Sequence, residues 1–219
     1  MYKHIIKRLI DLILSSVAII VLALPMLIIA IAIKIDDPGP VLFKQKRVGK
    51  KKNGEITYFM IWKFRSMKMS TPHDTPTHLL ENPDQYITRV GRFIRKTSLD
   101  ELPQIYQVFT SKLSLIGPRP ALWSQSDLVA EREKYGANDI KPGITGWAQI
   151  NGRDELEIDV KAKFDGEYAV ALKRGHFRGF AIDWRCFWGT VKSVLKSEGI
   201  IEGGTGEMKK QKEKQEALK

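Results

Sequence analysis

The chain has 219 residues, 43% of them hydrophobic and 28% charged, with a formal net charge of +11 and one cysteine. That length and apolar content suit one domain with its own core, and the lone Cys186 excludes an internal disulfide framework. The positive excess directs the chain toward acidic partners, while His4, His73, His78 and His176 have no zinc-type spacing with cysteine.

Residues 9–33 are apolar except for Asp11, Ser15, Ser16 and Pro25. As a helix this run would be roughly 37 Å long, enough to cross a bilayer. It is too long for a cleavable signal, and no small-residue cleavage site follows it. Lys3, Lys7 and Arg8 precede the run and Lys34, Lys44, Lys46 and Arg47 follow it, so both flanks ask for the cytoplasmic side. Pro25 removes a backbone bond near the middle. A membrane helix–break–helix over residues 1–36, entering and returning to the same face, satisfies both flanks; a single tilted span is the alternative. Asp11 is expected near the interface, paired with Lys7 or Arg8.

One cytosolic domain is expected over residues 37–202 and a flexible charged tail over 203–219. The fold class is α+β and predominantly helical. Short strands are predicted at 41–43 and 56–60 around a basic hairpin with Gly49 and Gly54. Residues 70–84, with Pro72, Pro76 and Pro83, read as a long surface loop. A helix over 85–96 follows, then one starting at 98–100 with Leu102, Ile105, Tyr106 and Phe109 on its apolar face. Residues 183–196 form an amphipathic helix whose stripe of Trp184, Phe187, Trp188, Val191, Val194 and Leu195 suits either a membrane interface or core packing.

Ser98-Leu99-Asp100-Glu101-Leu102-Pro103-Gln104 places two acids at a helix start. Ser98 with Glu101 is a capping box on one reading. On the other, Asp100 is a nucleophile, its pKa lowered at a helix N-terminus where phosphate also binds, with Arg95 close enough to offset phosphate charge. Arg119, stiffened between Pro118 and Pro120, suits an anionic ligand as well as it suits a solvated turn. Residues 141–153 are a glycine-punctuated loop around Trp147, either a tight turn or a close backbone approach to nucleotide or sugar. No phosphate loop, dinucleotide fingerprint after a strand, or serine elbow is present in the sequence.

Several stretches occur in a shared order: Lys7-Arg8-Leu9-Ile10-Asp11, Pro25 in the apolar run, Phe43-Lys44-Gln45 with Arg47 and Gly49, and Trp62-Lys63-Phe64-Arg65-Ser66-Met67. The Asp100-Glu101 segment, Gly117-Pro118-Arg119-Pro120 and residues 142–153 complete the series. In that order and spacing the chain resembles the small bacterial sugar transferases, the monotopic phosphoglycosyl transferases that initiate glycoconjugate assembly. The resemblance implies a reentrant membrane helix broken at Pro25, interfacial amphipathic helices and an aspartate–glutamate dyad with Mg2+. It further implies that Asp100 attacks the sugar-linked phosphate of a UDP-sugar, that UMP leaves, and that undecaprenyl phosphate takes the phosphosugar from the aspartate. By the same resemblance Glu101 assists with metal or protons, and Arg95, Arg119 and Lys63 contact phosphate. Gly143, Gly146, Gln149 and Arg153 form the nucleotide or sugar loop, and Asp183 joins Asp100 and Glu101 near the metal. Residues 173–179 look longer and more basic than the usual family connection before that aspartate. The implied place is the cytoplasmic face of a bacterial inner membrane rich in anionic lipid, without nucleic acid, in a minimal catalytic form that a homodimer would also accommodate. The competing hypothesis is a non-catalytic, membrane-anchored basic binding or scaffold protein.

Overall fold

The aliphatic residues after Lys7 favour helix, and one proline interrupts them. In the computed structural model, which describes residues 2–71, 83–152 and 156–196, they form a single helix, α1 (Lys7–Asp36), entered through one π-helical turn at Tyr2–Ile6. The break expected at Pro25 is not there: α1 continues through it. Directly after Pro25, Met26, Ile29 and Ile33 pack against Phe64 and Ile94 and hold the second half in helical register. Leu9, Ile13, Val17, Ile20, Leu24, Leu27 and Ile31 face outward. Among the described residues this is the one helix long and apolar enough to cross a membrane.

Both ends of α1 are bonded to the rest of the chain. Lys7 pairs with Asp183 at 2.7 Å, and Arg8 donates to the carbonyls of Val108 and Phe109, each at 2.7 Å. Asp11 does not pair with Lys7 or Arg8. Its carboxylate accepts from the Ser114 hydroxyl at 2.8 Å and the Leu115 amide at 3.0 Å, so the buried charge is satisfied inside the protein. At the far end Asp36 accepts from the Val90 amide at 2.9 Å, and Asp37 pairs with Arg65.

Strands β1 (Leu42–Val48) and β2 (Tyr58–Phe64) pair antiparallel, Leu42 opposite Phe64 and Val48 opposite Tyr58. They are longer than their apolar cores suggest, because the turn fixes pairing over basic positions as well. Asn53 and Gly54 both have positive φ, 50° and 85°, as a tight hairpin turn requires. A second sheet pairs β3 (Ser114–Ile116) with β4 (Gly143–Thr145) in parallel.

The remaining helices are α2 (Arg89–Lys96), α3 (Gln104–Phe109), α4 (Ser126–Lys134), α5 (Trp147–Ile150), α6 (Ile158–Lys173) and α7 (His176–Lys196). The architecture is therefore α+β and mostly helical. Helix α7 starts seven residues before the predicted 183. The basic stretch expected as a long connection is largely its first turn, with Gly175 (φ 131°) making the tight link from α6. Tyr2, Ile116, Tyr168, Leu172 and Cys186 form the core that joins the N-terminus, β3, α6 and α7. Trp184, Phe187 and Trp188 stay outside it, exposed and in ring contact with one another. The core face of α7 is instead the Asp183 and Cys186 side. The tail 203–219 and most of the predicted loop, 72–82, lie outside the described residues.

Candidate active site

Strand β2 carries Lys63, and a buried glutamine holds the strand in place. Gln107 of α3 donates from Nε2 to the Met60 carbonyl at 2.7 Å and accepts the Trp62 amide at 2.9 Å. Facing β2 is a single 3₁₀ turn, Leu99–Glu101, rather than the first turn of a long helix. Leu99 and Leu102 pack against the cluster that includes Phe64 and Ile94, and the two acids between them meet Lys63. Ser98 makes no side-chain cap and sits in the left-handed region at φ 57°. The capping box is thus absent: Glu101 is engaged elsewhere, and a non-glycine residue is held where it is strained.

Lys63 Nζ lies 3.5 Å from Asp100 Oδ2 and 2.9 Å from Glu101 Oε1. Arg119 forks onto Glu101, with Nη1–Oε2 at 3.2 Å and Nη2–Oε1 at 2.5 Å. This bidentate fit uses the planar geometry of both groups. The two carboxyls are consequently driven apart in acidity. Burial alone would raise both. For Glu101, Arg119 and then Lys63 overcome it and hold the group well below the usual carboxylate range. For Asp100, only 4% exposed, burial dominates over Lys63 and raises its pKa, with the Glu101 charge pushing the same way. The lowering expected from a helix N-terminus is not what the site delivers. Arg95 on α2 is half-buried, its own pKa lowered by that burial and countered by the charge of Asp100.

Arg119 is itself anchored from behind. The Gly117 amide donates to the Thr145 carbonyl at 2.7 Å, tying the loop after β3 to β4. Arg132 of α4 donates to the Arg119 carbonyl at 2.9 Å while pairing with Asp165 of α6 at 2.6 Å. Such an arrangement displays one buried, weakly compensated carboxyl beside a second that stays ionised, within a ring of cations suited to phosphate.

Residues 2–197 match the family described as "Bacterial sugar transferase". The chain belongs to that family.

Among its relatives, this bacterial sugar transferase is 39% identical over 179 residues to the UDP-glucose:undecaprenyl-phosphate glucose-1-phosphate transferase of Escherichia coli (strain K12), covering 76% of this chain and 36% of that protein. It is 40% identical over 200 residues to the "Uncharacterized sugar transferase EpsL" of Bacillus subtilis (strain 168), covering 90% of each. To the undecaprenyl-phosphate galactose phosphotransferase of Salmonella typhimurium (strain LT2) it is 35% identical over 207 residues, covering 88% of this chain and 41% of that protein. The chain therefore spans about a third of the E. coli relative.

Other residues singled out in the sequence are placed differently. Asp183 belongs to a separate buried cluster in this sugar transferase. Its carboxylate accepts from Tyr2 Oη at 2.6 Å and Tyr168 Oη at 2.7 Å in addition to Lys7, and is not brought together with Asp100 and Glu101. Among the described residues no group of three or more His, Cys, Asp and Glu forms a metal cage. Gly143 and Gly146 serve close contact within the protein. A Cβ on Gly143 would stand 2.2 Å from the Gly117 amide nitrogen, and one on Gly146 2.2 Å from the Gly117 carbonyl oxygen. Gln149 Oε1 is buried without a hydrogen-bond partner among the described residues. Arg153 lies outside the described residues.

Sequence reasoning missed Gln107, the Arg132–Asp165 pair and Gln104, whose buried Nε2, one turn past Asp100, has no hydrogen-bond partner among the described residues. Arg132 and Asp165 are 33 positions apart, and nothing in local spacing marks them as a pair.

Proposed function

We propose that the chain transfers a sugar 1-phosphate from a UDP-sugar to undecaprenyl phosphate through a phosphosugar–aspartate intermediate. The observation that carries this reading is the unequal pair, Asp100 buried and weakly compensated, Glu101 clamped by Lys63 and Arg119. Asp100 Oδ attacks the sugar-linked phosphorus. The phosphorus–oxygen bond to UMP breaks, and UMP leaves with that electron pair. A phosphate oxygen of the lipid then attacks the same phosphorus, the acyl phosphate bond breaks, and the Asp100 carboxylate is restored. Lys63 and Arg119 offset charge that builds on the phosphoryl oxygens. Glu101, paired with Arg119 and Lys63, assists through its charge and at the metal.

Asp100 and Glu101 also make a donor set that suits magnesium, which takes one or two carboxylates and fills its other positions with water and substrate phosphate. Bound there, the ion would neutralise phosphate charge.

The reading places the protein on the cytoplasmic face of the inner membrane, with the unbroken α1 seated in the near leaflet and both of its ends kept at that face. Support comes from both ends of α1 being bonded to one domain, through Lys7, Arg8 and Asp11 at one end and Asp36 and Asp37 at the other. A helix of 30 residues, roughly 45 Å, running straight across would separate those partners by the thickness of a bilayer. The outward Trp184, Phe187 and Trp188 suit the headgroup layer beside it.

The test is a panel of UDP-sugars incubated with undecaprenyl phosphate, magnesium and the full chain in nanodiscs. The expected products are UMP and a polyprenyl-diphosphate sugar in equal amounts, both lost on chelation. UMP without lipid product would make the protein a hydrolase. Neither product from any UDP-sugar would leave the scaffold reading in its place.

A further inference from the structure

Between the second half of α1 and α2 runs an open groove of about 390 Å³, lined by Ile28 and Ala32 on one side and Arg89, Val90, Phe93 and Ile94 on the other. That volume falls in the range of small-ligand sites. We propose that it holds the isoprenoid chain of the polyprenyl phosphate acceptor, an inference that rests on the transferase reading above.

Three observations favour this occupant. The lining is aliphatic and aromatic, with Arg89 its one charged residue and no carboxylate, which suits an apolar chain. The groove is continuous with the outward apolar face of α1, where Leu24, Leu27 and Ile31 are exposed, so a chain dissolved in lipid reaches it without crossing water. It also leads to the chemistry. Ile94 packs with Phe64 and Leu99, the neighbours of Lys63 and Asp100, and the next residue on α2 is Arg95, which feels the charge of Asp100. The eight residues of α2 extend only about 12 Å, so a chain seated along them ends near the nucleophile. A bulk phospholipid shares the apolar tail but has no reason to align with that path. The second cavity, beneath Pro118 and Pro120, is about 10 Å³ and takes no more than a water.

The experiment uses the full chain in phosphatidylglycerol nanodiscs and a polyprenyl phosphate carrying a diazirine on an early isoprene unit. Expected is labelling within residues 28–32 or 89–94 that excess unlabelled polyprenyl phosphate displaces and added phosphatidylglycerol does not. Labelling elsewhere, or displacement by both lipids alike, overturns the proposal. Labelling requires no transfer, so a labelled groove on a protein that forms no polyprenyl-diphosphate sugar sinks the transferase reading alone. As a second measurement, Ala32→Trp fills the groove. It is expected to raise KM for the long-chain acceptor by about tenfold, through lost apolar contact. KM for the UDP-sugar, and turnover with a single-isoprene phosphate, should be unchanged. An unchanged long-chain KM in a folded Ala32→Trp protein overturns the proposal as well.

Discussion

At the residue scale, the candidate site sets side by side two adjacent carboxyls whose acidities are driven in opposite directions. The sequence makes the pair visible but leaves its roles open, because Ser98-Leu99-Asp100-Glu101 fits a helix cap as well as it fits a nucleophile. Tertiary contacts remove the cap: Glu101 receives Arg119 from 18 residues away and Lys63 from the neighbouring strand, while Asp100 is buried beside it. Asp100→Asn is expected to lower kcat by at least about 10³-fold with the fold intact, measured as UMP release, since an amide cannot serve as the nucleophile. Arg119→Lys keeps the charge and loses the fork. Its kcat/KM is expected to fall about 10- to 100-fold, and Arg119→Met to fall further.

Among the elements, the pieces that position Arg119 were the least legible in sequence. Strands β3 and β4 are three residues each, too short for alternation to register, and α6 has a mixed surface that hides its buried Asp165. The long apolar run, the hairpin and α2 were readable because their patterns are local. Pro25 misled because packing after it outweighs one missing hydrogen bond. Arg132→Met leaves Asp165 buried and unpaired and is expected to cost about 3–5 kcal/mol in denaturant unfolding, a loss that Arg132→Met with Asp165→Leu largely recovers. Gly146→Ala forces apart two backbones and is expected to destabilise by about 1–3 kcal/mol while loosening the Arg119 loop. Cys186 on the inner face of α7 has its thiol pushed up to about 12 by burial and by the Asp183 charge. Since the thiolate is the reactive form, iodoacetamide at pH 8 should leave Cys186 unmodified in the folded protein and alkylate it in denaturant. Rapid native alkylation would mean that α7 does not pack as described.

For the whole molecule, the charge pattern on both flanks of the apolar run already argued for one face, and the bonds at both ends of α1 supply a physical reason. With Cys186 replaced by serine, single cysteines at positions 3 and 34 are expected to react with a membrane-impermeant maleimide only in inside-out vesicles. Opposite accessibility of the two would contradict the shared face. The central claim concerns one bond, between Asp100 and phosphorus. Its most direct measurement is mass spectrometry of the full chain mixed with the preferred UDP-sugar and magnesium in the absence of lipid acceptor. The account predicts a sugar-phosphate adduct on the peptide containing Asp100 that disappears when undecaprenyl phosphate is added. Efficient formation of the lipid product with no adduct at any time, and a strict requirement for both substrates together, would contradict it.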